Sequence, residues 1–190
     1  MTTTFTPCQP PTLPPGSLIL IAGISGYKGT HIVHEAFVAG YRIRGTCRTP
    51  CQSSITIATL RNDLNYSTAI TPDFAGLGAF DAAIQDCAVA IHATSDLSFA
   101  ADPHRVMTPV VARTRSIIAS AARCGSVKQF FLISPWCAVC MPSLIEPVEV
   151  RKHDWNLEAV KRPWEPASYT DDRAAWVYTA SKTESEIAMW

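Results

Sequence analysis

The chain has 190 residues, a formal net charge of zero and 17% charged residues. That balance excludes an acidic disordered tail, and with no basic stripe nucleic acid is not expected as a partner. The length suits one domain able to bury its own core.

Residues 1–15 hold five prolines, with threonine at 2, 3, 4, 6 and 12, and read as an irregular leader ahead of a domain over residues 16–190. The run LILIAGI, Leu18 to Ile24, is too short to span a bilayer. It follows a Pro-rich segment, not a basic one, so neither a membrane helix nor a secretory signal is expected and a cytoplasmic location is the default. Seven cysteines are an odd number, which fits reduced thiols better than a disulfide framework. Cys137-x-x-Cys140 has no second CxxC and no histidine at ligand spacing after it. It reads as two small apolar residues beside a strand, so no metal is expected. His31-x-x-His34 reads as a helix face.

From Ser17 the pattern becomes strand, Gly-rich turn, helix. SLILIA is a continuous apolar run, as expected of a strand buried on both faces. Ile32, Val33, Ala36 and Phe37 then recur at helical spacing, and Gly40 is a natural stop. Strands are expected at Tyr41 to Cys47, Ser67 to Thr71, Cys87 to Thr94 and Lys128 to Ser134. Helices are expected over 79–86 and 103–124. The stretch from about Pro142 to Asp172 is irregular, with four prolines and two tryptophans. A last helix starts near Arg173 and still runs at Trp190. Strand-helix alternation of this kind predicts an α/β fold, a doubly wound, Rossmann-like parallel sheet. With no strand after the last helix, that sheet is expected to be incomplete.

Gly23-x-x-Gly26-x-x-Gly29 stands between the first strand and the first helix, the context a dinucleotide site requires. Gly23 permits the tight turn, Gly26 lets a pyrophosphate approach the backbone, and Gly29 allows helix and strand to pack closely. The helix N-terminus then faces the phosphates with its free N–H groups. The second strand ends in Arg44-Gly45-Thr46-Cys47-Arg48-Thr49, without the acid that holds the ribose of NAD. Arg48 can fork onto a 2′-phosphate, which points to NADP as cofactor.

LPPGSLILIAGISGYKGTHIV, GYRIRGTCR, SVKQFFLIS, DWNLE and WVYTASKTESEIA together resemble the extended short-chain dehydrogenases/reductases. The dihydroflavonol-reductase-like aldehyde and ketone reductases of fungi and yeasts are the group most resembled. The resemblance implies an NADP-dependent oxidoreductase acting on a small-molecule carbonyl substrate. It implies cofactor contacts from Gly23, Gly26, Tyr27, Gly29, Arg48, Asp73, Phe74 and Thr94. It also implies a catalytic pair, Tyr178 and Lys182, both of which touch the cofactor as well. Residues four apart share a helix face, and an ammonium beside a phenol is expected to lower the phenol's pKa toward working pH. The family continues beyond this length into a C-terminal substrate domain, which is expected to be missing here.

Two positions depart from the family pattern. The fifth strand of the family ends in two serines, the second of which polarises the substrate carbonyl. Here the pair is Ser134-Pro135, and proline offers neither a side-chain donor nor an N–H. Ser134 points to the opposite face in an extended chain. A small Gly-Thr pair in the long helix is replaced by Arg113-Thr114. Two functions therefore stand side by side. One is a carbonyl reductase; the other is a truncated, catalytically impaired relative that binds only nucleotide or a partner protein.

Overall fold

The computed structural model describes residues 13–141, 147–165 and 170–190. Most of the expected leader over 1–15, and part of the irregular stretch from 142 to 172, lie outside the described residues. Five strands form one sheet in the order β3-β2-β1-β4-β5, and every neighbouring pair is parallel. They are β1 (Leu18–Ala22), β2 (Arg42–Cys47), β3 (Tyr66–Ile70), β4 (Val89–His92) and β5 (Gln129–Leu132).

All five residues of β1 are buried because both faces of the sheet are covered. Leu18, Leu20 and Ala22 pack with Phe80, Ile84 and Ile117 on one side. Ile19 and Ile21 pack with Val33, Ile43 and Val89 on the other. The second side is covered by α1 (Tyr27–Val38) and α2 (Pro50–Thr59), the first by α3 (Pro103–Arg123). Helices on both faces are what parallel strands joined by right-handed crossovers require. No helix among the described residues is long and apolar enough to cross a membrane.

Two elements differ from expectation. The α2 helix was not read from the sequence, although its start is well formed: Thr49 is the N-cap, its hydroxyl accepts from Gln52 N at 3.2 Å, and Pro50 opens the first turn. The helix expected over 79–86 is instead a run of turns. Gly78 and Asp86 take left-handed φ values of 71° and 63° at its two ends, while Phe80 and Ile84 are fully buried between them. The stretch keeps one helical-type bond, from Ile84 N to Phe80 O at 2.9 Å, but the left-handed residues at its ends confine it to less than a propagating helix.

The last helix, α5 (Ala174–Met189), packs along α3. Val106, Met107 and Val110 meet Val177 and Ala180 in a small apolar cluster. Further along, the seam is polar and small. Thr114 Oγ1 lies 3.2 Å from Ser185 Oγ, Ser185 donates to Ser181 O at 2.7 Å, and Thr183 donates to Ala138 O at 3.1 Å. Every one of these hydroxyls has a partner, so burying them costs little. The seam fixes the rotation of α5, and therefore where Tyr178 and Lys182 lie. A short helix, α4 (Leu157–Lys161), also packs on α5 and is capped by Asn156, which accepts from Ala159 N at 3.1 Å.

Candidate active site

The strands end on one side of the sheet, and the order reverses between β2-β1 and β4. A crevice at such a switch point is where open α/β sheets bind ligands. Here it is a cleft of about 480 Å3, lined from the ends of all five strands and from α1, α3 and α5.

At its centre is the β1–α1 turn. Gly23 has φ +95°, and a Cβ there would meet the Ala93 carbonyl at 2.8 Å. Gly29 is buried, and its Cβ would lie 2.2 Å from Gly23 O. Both positions are closed to any side chain. Gly23 and Gly26 line the cleft with Ser25, Tyr27 and Lys28, whereas Gly29 is behind it, holding α1 against the turn. No side chain caps α1, and no acid sits in its first turn. A lysine at this end opposes the helix dipole and is favoured once an anion lies between them.

Arg48 leaves the end of β2 into the cleft, exposed, with Gln52 of α2 beside it. The Arg48 backbone N–H donates to Gln52 Oε1 at 3.1 Å. Thr46 Oγ1, in the same wall, is buried with no hydrogen-bond partner. After β3, Asp73 and Phe74 line the wall. Asp73 Oδ1 accepts from Ala75 N at 2.9 Å, and Phe74 packs on Phe80 with ring centroids 5.2 Å apart. Cations, a glycine turn without side chains and an orphaned hydroxyl are the donor set that a phosphorylated dinucleotide needs.

At the other end β4 leads into Ala93, Thr94, Ser95 and Leu97, β5 leads into Ile133 and Pro135, and α5 brings Tyr178. Lys182, one turn on, is 4% exposed and donates to Ser95 Oγ at 2.6 Å and to Thr94 O at 3.2 Å. Burial, with Lys28 adding to it, pushes its pKa down to about 8. Tyr178 behaves differently from the sequence expectation. Its pKa is raised, first by burial and then by Cys137, with the Ser95 hydroxyl opposing. The Lys182 ammonium, bonded to the β4 loop, lies 5.9 Å from the Tyr178 ring centroid.

Of the residues singled out from the sequence, Gly23, Gly26, Tyr27, Arg48, Asp73, Phe74, Thr94 and Tyr178 meet in the cleft. Gly29 and Lys182 support it from behind. Pro135 faces the cleft, while Ser134 Oγ is buried without a partner and is not on the cleft wall. Ser95, read from the resemblance only as part of the loop along the cofactor, holds Lys182, and the wall cations Lys28 and Arg113 had no assigned part. Lys28 was signalled by its place just inside α1; Arg113 was visible only as an odd residue in a helix.

No family model matches the chain. An NAD-dependent epimerase/dehydratase of Aspergillus terreus is 34% identical over 94% of this chain and 53% of its own length. Aldehyde reductase 2 of Sporidiobolus salmonicolor is 33% identical over the same shares. The solved structure of yeast methylglyoxal/isovaleraldehyde reductase complexed with NADPH superposes with a TM-score of 0.76 at 23% identity, over 91% of this chain and 52% of that one. The chain spans about half the length of the curated relatives it matches. Over nearly all of its own length, the chain is similar to these two proteins and, at 27% identity, to a dihydroflavonol 4-reductase of Callistephus chinensis.

Proposed function

We propose that the chain is an NADP-dependent oxidoreductase that reduces an aldehyde or ketone carbonyl of a small or secondary-metabolite substrate. One observation carries this reading: a single cleft joins the glycine turn and Arg48 at one end to Tyr178 at the other. Arg48 would hold the 2′-phosphate, and the uncapped α1 N-terminus with Lys28 the pyrophosphate. Bound NADPH would supply the hydride. Tyr178 keeps its proton at neutral pH, since its pKa is raised, and stands ready to pass that proton to the substrate oxygen. Lys182, with a pKa near 8 and bonded to Ser95, is a proton source within reach of the phenol through that hydroxyl.

A second reading is favoured by Pro135. It stands in the cleft where the family has a hydroxyl donor, and losing one such donor typically costs about a hundred- to a thousandfold in rate. A catalytically impaired relative that binds only nucleotide would look the same at the cofactor end.

The test is a fluorescence titration of the purified chain with NADPH and NADH. The reductase reading expects NADPH-selective binding that Arg48→Ala weakens, followed by NADPH oxidation on an aldehyde panel. Binding without turnover favours the second reading. No binding of either nucleotide sinks both.

A further inference from the structure

We propose that Arg113 makes the Tyr178 end of the cleft a carboxylate subsite, so that its carbonyl ligands are oxo acids with an apolar tail. The inference rests on the reductase reading and names the substrate class for it.

Arg113 lies in the middle of α3, half-buried, on the wall that Ser95, Leu97, Pro135 and Tyr178 also form. Its position follows from its neighbour. Thr114 is 1% exposed and reaches His92 Nε2 at 3.4 Å and Ser185 Oγ at 3.2 Å, which sets the rotation of α3 and turns residue 113 to the cleft. The guanidinium forms no hydrogen bond and no ion pair of its own among the described residues. A planar fork in a partly dry cleft is a ready bidentate partner for a carboxylate.

The charges around it leave positive potential to be matched. Asp96 is the acid that senses both Arg113 and Lys182, and each lowers its pKa. Arg113 and Lys182 both oppose protonation of His92, and Lys28 opposes that of Lys182. Glu184, on α5, feels Arg115 and not Arg113. Asp96 is thus shared between two cations, Arg113 and Lys182. The remaining surface here is apolar. Leu97, Ile133 and Pro135 line the wall, and Phe99 lies against Tyr178 with ring centroids 5.4 Å apart. With no donor at Pro135, Arg113 is the guanidinium that can meet a carboxylate beside the Tyr178 hydroxyl.

The test is a calorimetric titration of the purified chain with benzoylformate and with its methyl ester, with and without NADPH. The two probes share the carbonyl and the ring and differ in the charge. The acid should bind roughly ten- to hundredfold more tightly, as expected of a charge-assisted pair. Arg113→Met should abolish the preference, Arg113→Lys should keep part of it, and Arg48→Ala should leave it intact. Equal binding of acid and ester, binding of neither, or a preference that survives Arg113→Met overturns the subsite. NADPH titration of the same proteins separates the two claims. Unchanged NADPH affinity without an acid preference removes only the subsite. An acid preference that depends on Arg113, in a chain that binds no NADPH, keeps the subsite and removes the reductase reading.

Discussion

Lys182 Nζ donates to Ser95 Oγ at 2.6 Å, and this bond to the β4 loop holds the buried ammonium in place. Burial lowers its pKa from 10.5 to about 8. A depressed lysine pKa means that the unfolded chain binds more protons than the folded one between those values. Lys182 therefore makes stability rise with pH through that window. The energy at stake is on the order of 3 kcal/mol.

Lys182→Met should accordingly remove a pH-dependent penalty. Its stability relative to wild type should fall as pH rises from 8 toward 10.5, because wild type is relieved of its buried charge and the variant has none. Urea unfolding of both proteins at several pH values measures this. The interval from 8 to 9 is the cleanest, since the buried Cys87 thiol, with its pKa raised to about 11, begins to act in the opposite sense above its ordinary value of 9. A constant difference between the two proteins would contradict the assignment.

His92 makes the acid counterpart. It is 2% exposed, hydrogen-bonded to Thr94 at 3.1 Å, and pushed down to about 3 by burial, then by Lys182 and Arg113. The unfolded chain takes up that proton near 6.5 and the folded chain does not, so stability is lost as pH falls below 6.5. His92→Gln should flatten the decline between about pH 6.5 and 5.5, before carboxylates titrate. Thermal unfolding across that interval is the measurement. Parallel curves would contradict the assignment.

Gly29→Ala should disable both fold and site. The added Cβ would lie 2.2 Å from Gly23 O, a backbone atom that cannot swing aside. A loss of at least about 1–3 kcal/mol is expected, together with weaker NADPH binding. Gly125→Ala is the control: open space surrounds it, and the effect should stay within about 0.5 kcal/mol. Wild-type stability in Gly29→Ala would mean that the turn relaxes.

Pro135→Ser tests the missing donor. Pro135 lines the cleft with Tyr178, so a hydroxyl there can meet the same ligand. The turnover number for an aldehyde should rise by about a hundred- to a thousandfold, with NADPH affinity unchanged. An unchanged turnover number would show that the rate is limited elsewhere.

Much of this molecule is written in local pattern. The apolar run Leu18–Ala22, the glycines after it and the helix beyond them need only near neighbours to form, and the structure builds them as read. Tyr178 and Lys182 share one helix because their spacing demands it. Pro135 faces the cleft and Ser134 does not, as alternation along an extended chain requires. The stretch 79–86 stops short of a helix between the left-handed residues Gly78 and Asp86, a backbone choice that apolar spacing does not report.

What the sequence by itself determined is the order of the strands, the helices α1, α3 and α5, the glycine turn, and the residue types brought to the cleft. Periodicity and steric limits act within a few residues, so they are legible one stretch at a time. The tertiary structure decided which partner each charge finds. Lys182 reaches the Ser95 loop, 87 residues away, through the fit of α5 on α3. Arg113 enters the cleft because Thr114 is locked against His92 and Ser185. Electrostatic energy depends on distance and burial between groups far apart in the chain, and both exist only once the helices have packed.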